Sequence, residues 1–178
     1  MVFAISATAS DAQGTFTVMK EIIKSIFEKH GVGSIRPAVI VYGDMASVRL
    51  NFDEVITDLN DLRKQIDNLI RNSGTPDLTE AMSLAKVVFV GARPHVKKVL
   101  VIITDDQSDS KSWEIKMKAR ELEEDEIEVV SVGIGAEVNI PQLKETTSYK
   151  ENVIATNNTG DNTDELTDRI LEIMLKSK

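Results

Sequence analysis

Three groups of oxygen-bearing side chains stand at spacings that could bring hard donors to one point. Ser6, Thr8 and Ser10 alternate through I-S-A-T-A-S. In an extended segment residues i, i+2 and i+4 face one way, so these hydroxyls share a direction. Thr75 sits in the turn-rich loop 72–78 (N-S-G-T-P-D-L), with Asp77 and Thr79 close by. Asp105 and Asp106 follow directly on Lys98–Thr104 (K-V-L-V-I-I-T), the most apolar run in the chain. Hydroxyl and carboxylate oxygens are hard ligands, suited to Mg2+, Mn2+ or Ca2+ and not to a soft metal. The same residue types have a purely structural use, capping loops and helix starts by side-chain to backbone hydrogen bonds.

Other chemistry has little to work with. The chain has no cysteine, which removes disulfides, thiolate metal sites and cysteine nucleophiles. His30 falls at a helix end and His95 in a loop beside Pro94. Neither has a second histidine at ligand spacing, and both read as surface residues. Neither the G-x-x-x-x-G-K-[S/T] nor the G-x-G-x-x-G phosphate loop occurs, nor does the G-x-S-x-G elbow of a serine hydrolase. No nucleophile–base pair can be named, so the chain reads as a binding protein and not an enzyme. Its net charge of −8 argues against nucleic acid and anionic membranes as partners, and suits a cation or a basic surface. No apolar run is long enough to cross a bilayer. Arg93, Lys97 and Lys98 form a small basic cluster against this acidic background.

Elements that could position the three groups alternate along the chain. The apolar run at 2–5 reads as a first strand. Thr15–His30 has Phe16, Met19, Ile22, Ile23, Ile26 and Phe27 at helical spacing, and Gly31 stands where a C-cap belongs. Strands at 37–42 and 46–52 read as a hairpin across Gly43-Asp44, the second with one polar face. A helix is expected over 53–71 on the stripe Val55, Ile56, Leu59, Leu62, Ile66, Leu69 and Ile70, and another over 79–90. Lys98–Thr104 is apolar on both faces, as the middle strand of a parallel sheet must be. A helix over 112–126 carries Trp113, Ile115, Met117, Ala119 and Leu122 inward; residues 121–128 are an acidic, solvated run. Then come a strand at Ile127–Ile134, a short helix beginning at Pro141, a strand at 152–155 and a helix over 164–175. The last of these faces Leu166, Ile170, Ile173, Met174 and Leu175 inward. This alternation predicts one α/β domain over residues 1–178: a doubly wound, mostly parallel, Rossmann-like sheet with one antiparallel edge strand and helices on both faces. Ligands of such sheets bind at the carboxyl ends of the strands, where all three groups fall.

Read in order, the motifs resemble the von Willebrand factor type A domains, which include the inserted domains of integrins. The resemblance rests on V-F-A-I-S-A-T-A-S, on A-V-I-V-Y-G-D followed by V-R-L-N-F, on S-G-T-P-D-L-T-E-A-M, on V-L-V-I-I-T-D and on V-V-S-V-G-I-G, and it covers essentially the whole chain. It implies a metal-ion-dependent adhesion site holding Mg2+, Mn2+ or Ca2+, made from an Asp-x-Ser-x-Ser loop, a threonine and a strand-closing aspartate. Ser6 stands at the first aspartate, Thr8 at the first serine, Ser10 at the second, and Asp105 at the closing aspartate. Thr75 fits the threonine by its preceding glycine, with Thr79 as the alternative, and Asp106 replaces the usual glycine. The site is therefore degenerate. A unit charge lost about 4 Å from a dication forfeits about 4 kcal/mol at an effective dielectric of ~20.

The resemblance implies adhesion: docking to collagen, another extracellular matrix protein or a receptor through the strand-end face, with Asp77 and Asp106 as partner contacts. A secreted or matrix location follows, and the sequon Asn157-Asn158-Thr159 agrees with it. The chain reads as one module of a longer protein. Two alternatives stand beside this: a structural acidic module of a matrix or biomineral-associated protein that binds Ca2+ diffusely, and an intracellular scaffold domain.

Overall fold

The computed structural model describes residues 1–7, 14–71, 74–157 and 163–176. Six strands form its frame: β1 (Val2–Ser6), β2 (Ala38–Tyr42), β3 (Ala46–Leu50), β4 (Lys98–Thr104), β5 (Ile127–Ile134) and β6 (Val153–Thr156). They lie in the order β3-β2-β1-β4-β5-β6. Every neighbouring pair is parallel except β2 with β3. The expected doubly wound sheet with one antiparallel edge strand is what the chain forms.

The pleat of each strand sorts its side chains between two cores. Phe3, Ile5, Val101 and Ile103 pack with α1 (Thr15–His30), α2 (Leu59–Asp67) and α6 (Thr163–Leu175). Val2, Ala4, Leu100 and Ile102 pack with α3 (Leu78–Phe89), α4 (Ser112–Glu124) and α5 (Ile140–Leu143). This is why β1 and β4 are apolar at every position: both faces are covered. Each fully buried Ile or Phe here is worth roughly 1.5–3 kcal/mol relative to exposure. α1 keeps its expected bounds. Gly31, at φ 76°, closes it with a 2.7 Å bond from its N–H to the Phe27 carbonyl.

β1 and β4 are neighbours whose connections leave on opposite faces, β1 into α1 and β4 into α4. At such a switch point the two loops part and leave a crevice at the carboxyl ends of the strands. Ile5 stands opposite Ile103 in the register, so Ser6 and the residues after Thr104 emerge together.

Two helices differ from their sequence reading. α2 is shorter than 53–71. The Asn51 N–H donates to Glu54 Oε1 at 3.0 Å, and the Glu54 N–H donates to the Asn51 carbonyl, which closes a turn. Extended Asp58 then caps the helix by accepting from the Asp61 N–H at 2.9 Å. Val55 and Ile70 fall outside the helix and are 81% and 72% exposed. In α4, Ile115, Ala119 and Leu122 form one stripe at i, i+4, i+7 and face the core. Trp113 and Met117 are a separate i, i+4 pair on the far side, and Trp113 is 60% exposed. One helix face cannot hold all five. Leu175 also projects outward, at the end of α6.

α5 lies close over β5 because position 133 has no side chain. A Cβ at Gly133 would stand 2.6 Å from Val138 Cγ1 and 3.0 Å from Leu143 Cδ1. Gly133→Ala is expected to cost about 1–3 kcal/mol, as overpacked sites do. It would be read as a lower denaturant midpoint at unchanged slope. Unchanged stability would mean that residues 138–143 do not press on β5.

Candidate functional site

The crevice is built around one carboxylate. Asp105 follows β4, and Ser6, itself buried, ends β1. Ser6 Oγ donates to Asp105 Oδ1 at 2.7 Å, and the Asp105 N–H returns a longer bond to Ser6 Oγ at 3.3 Å. On the other side Thr15, first residue of α1, donates its hydroxyl to Asp105 Oδ2 at 2.5 Å. Both oxygens of the anion therefore accept from a hydroxyl. Hydrogen bonds to a charged acceptor are short and about twice as strong as neutral ones. This clamp ties β1, α1 and β4 together at the switch point.

A second cluster lies beside it. Asp77 is the N-cap of α3, and its Oδ1 accepts from the Thr79 N–H at 2.9 Å and the Glu80 N–H at 3.0 Å. The same oxygen accepts from Thr79 Oγ1 and Ser110 Oγ, both at 2.7 Å. Burial pushes this carboxyl's pKa upward, but the side-chain hydrogen bonds of Thr79 and Ser110, with the two N–H groups, outweigh it and hold it below the ordinary 3.8. Ser108 Oγ donates to Ser110 Oγ at 2.9 Å and accepts from the Leu78 N–H at 3.0 Å. Gln142 of α5 accepts from the Ser108 N–H and donates to the Ser108 carbonyl, both at 2.9 Å. The loop after β4 is thus fastened to α3 on one side and α5 on the other.

The remaining sequence candidates are dispersed. Thr75 is exposed and makes no hydrogen bond with another described residue. Asp106 turns its carboxylate onto its own loop, accepting from the Gln107 N–H at 2.7 Å. Thr8 and Ser10 lie outside the described residues. Beneath the crevice Tyr42 is fully buried, its hydroxyl without a well-formed hydrogen bond. Burial raises its pKa far above the usual phenol value; the hydroxyl of Thr104 opposes this, and Asp105 and Asp77 add to it. The phenol is neutral at any working pH.

As donors for a resident dication, these residues fall short. Among the described residues no three of His, Asp and Glu gather where they could share an ion. Among the described residues Asp105 alone brings a carboxylate to the crevice floor, and its oxygens already accept from Ser6 and Thr15. Ca2+ takes six to eight oxygens, and Mg2+, which keeps several waters, still needs one or two carboxylates free to ligate. With both oxygens of Asp105 accepting from hydroxyls, the described residues fit neither ion as they stand.

Thr15, Ser108, Ser110, Gln142 and Tyr42 were not legible as site residues. The S-x-S spacing in D-Q-S-D-S carried a signal for the two serines. Thr15 read only as a helix start. Gln142 joins the cluster from 34 residues away, through the packing of α5, and no local pattern marks it.

The family model of the von Willebrand factor type A domain matches residues 1–169. The chain is 24% identical over 163 residues to the human collagen alpha-6(VI) chain, a match that covers 89% of this chain and 7% of that one. Proximal thread matrix protein 1 of the mussel byssus, in a form with a zinc-occupied MIDAS motif, superposes with a TM-score of 0.85 at 20% identity, covering 97% of this chain and 44% of that one. A von Willebrand factor type A protein of Catenulispora acidiphila follows at 0.79 and 14%, covering 99% and 42%. These solved structures share the fold. The chain belongs to the von Willebrand factor type A domain family.

Replacing Asp77 tests the second cluster. Asp77→Ala is expected to cost about 1–2 kcal/mol near neutrality, the range for losing a helix cap. The folded-state pKa lies below 3.8, so the stabilisation is complete above that value. It is lost as pH falls through the depressed folded value. Denaturation curves should therefore show the gap between the two proteins narrowing on going from neutral pH to about pH 2.5. A gap independent of pH would mean that the cap does not act as an anion.

Proposed function

We propose that this von Willebrand factor type A domain is a non-enzymatic binding module that docks a matrix protein, collagen or another, through the face at the carboxyl ends of β1 and β4. The observation that carries the reading is the clamped Asp105 at the switch point, with Thr75 and Asp109 exposed and Asp106 half-buried in the neighbouring loops. Clefts at this place in open α/β sheets are the usual ligand sites. The matrix proteins among the similar chains, a collagen and a byssal thread protein, support a matrix partner and an extracellular location. The chain spans a small part of that collagen's length, in keeping with one module of a longer protein.

The histidines support a role without catalysis. His30 ends α1, a helix of 16 residues whose other end carries Thr15. That sets His30 roughly 24 Å from the crevice at 1.5 Å per residue. His95 lies just before β4 starts, at the same remote end. Among the described residues no histidine stands beside Asp105 or the serines.

Docking is proposed to proceed without a resident dication. Ser6 supplies a hydroxyl where the family pattern has a carboxylate, and that hydroxyl already serves Asp105. Calorimetric titration of Mg2+, Mn2+ and Ca2+ should give no saturable site in the unaltered chain. Ser6→Asp should gain one, and Ser6→Asp with Asp105→Ala should lose it again. A saturable site in the unaltered chain, lost in Asp105→Ala, would restore the adhesion-site reading with Ser6, Thr8, Ser10, Thr75 and Asp105 as ligands. Several weak, salt-sensitive sites would favour the acidic structural module.

The docking face has its own test. Capture on immobilised matrix proteins, collagens first, should survive a chelator. Thr75→Arg and Asp106→Arg should each weaken it by about tenfold or more, or 1.4 kcal/mol, at an unchanged melting temperature. Capture that ignores both substitutions would move the contact off this face.

A further inference from the structure

At the opposite pole, where the strands begin, a cavity of about 370 Å³ opens between the starts of β1 and β4 and the ends of α3 and α6. Its volume lies in the range of small-molecule sites. Its walls are mostly apolar: Phe52, Phe89 and Val99 line it with their buried rings and methyls, Val96 and Leu175 leave apolar surface free around it, and His30 and Ser34 add polar groups on the α1 side. Its charge runs against the rest of the molecule. The chain carries 29 acidic residues against 21 Lys and Arg, yet among the described residues no acid lines this cavity, and Arg36, Arg93, Lys97 and Lys98 do.

Two of these cations are already committed. Lys97 pairs with Glu128 at 2.8 Å and donates to the Met174 carbonyl at 2.7 Å, and Lys98 donates to the Asp125 carbonyl at 2.9 Å. Arg36 and Arg93 make no ion pair with a described residue. Two uncommitted guanidinium groups at the rim of an apolar recess offer a planar, bidentate anion contact above a dry wall.

We propose that this cavity binds an amphiphilic carboxylate of the medium-chain fatty acid class. The head lies between Arg36 and Arg93, and the body lies against Phe52, Phe89 and Val99. A phosphorylated sugar or nucleotide would leave polar groups against these walls, and an uncharged hydrocarbon would leave the guanidinium pair unused.

The test is titration of this chain with decanoate, 1-decanol and butyrate, below the aggregation limit of each, by calorimetry and amide chemical shifts. Decanoate should fill one saturable site and shift the amides of residues 96–99 and the end of α6. Decanol lacks the head and butyrate the body, so each should bind at least tenfold more weakly. The double variant Arg36→Gln/Arg93→Gln should weaken decanoate at least tenfold and leave decanol unchanged. The proposal is overturned by no saturable binding of decanoate, by decanol binding as tightly as decanoate, by indifference to the double variant, or by shifts centred on Ser6 and Asp105.

Discussion

β4 is buried on both faces along nearly its whole length, and it ends by handing the chain to a carboxylate. Asp105 stands half-buried at the rim of two hydrophobic cores, where a carboxylate that loses part of its water needs hydrogen-bond donors in its place. Ser6 and Thr15 supply them. They come from the neighbouring strand and from the helix that follows it, so the need of one side chain fixes three elements at once. The polar cluster of Asp77, Ser108, Ser110 and Gln142 continues the bracing outward from the same strand end. These donors fasten the strand ends to one another, and the two cores beneath provide the platform.

The same constraint explains where the chain spends polar residues inside. Ser6, Thr104 and Ser108 are buried, and each has a hydrogen-bond partner around the strand ends. The hydroxyls of Tyr42 and, in α6, Thr167 are exceptions among the described residues, and Tyr42 is the one beneath the crevice. Its ring fills space on the α3 side of the sheet, and its hydroxyl pays for that position by lacking a well-formed partner. Such a group normally costs about 1–3 kcal/mol. Burial first, and the negative field of Asp105 and Asp77 second, push the phenol's pKa upward.

Where periodicity was unambiguous, the fold was legible. Thr15–His30, Lys98–Thr104 and Ile127–Ile134 keep the bounds their patterns announced. Residues 53–71 do not, because side-chain hydrogen bonds of Asn51, Glu54 and Asp58 form a turn and a cap that local apolar spacing cannot reveal. The Trp113–Ile115–Met117 spacing mixes two helix faces, and only the contacts of α4 decide which is inside. In the site, the meeting of Ser6 with Asp105 could be inferred because parallel neighbours emerge at one edge. The roles of Thr15 and Gln142 could not, because each depends on how a helix docks and not on which residues flank it.

Position 6 decides what kind of edge this is. Two carboxylates about 4 Å apart repel by about 4 kcal/mol at an effective dielectric of ~20. An aspartate there, facing Asp105, would need a cation simply to hold the strand ends together. Serine removes that need. Its hydroxyl donates to Asp105 and its Oγ accepts from the Asp105 N–H, so the pair is complete without an ion. The serine that supplies no charge for a metal is therefore also the one that completes the contact between β1 and β4.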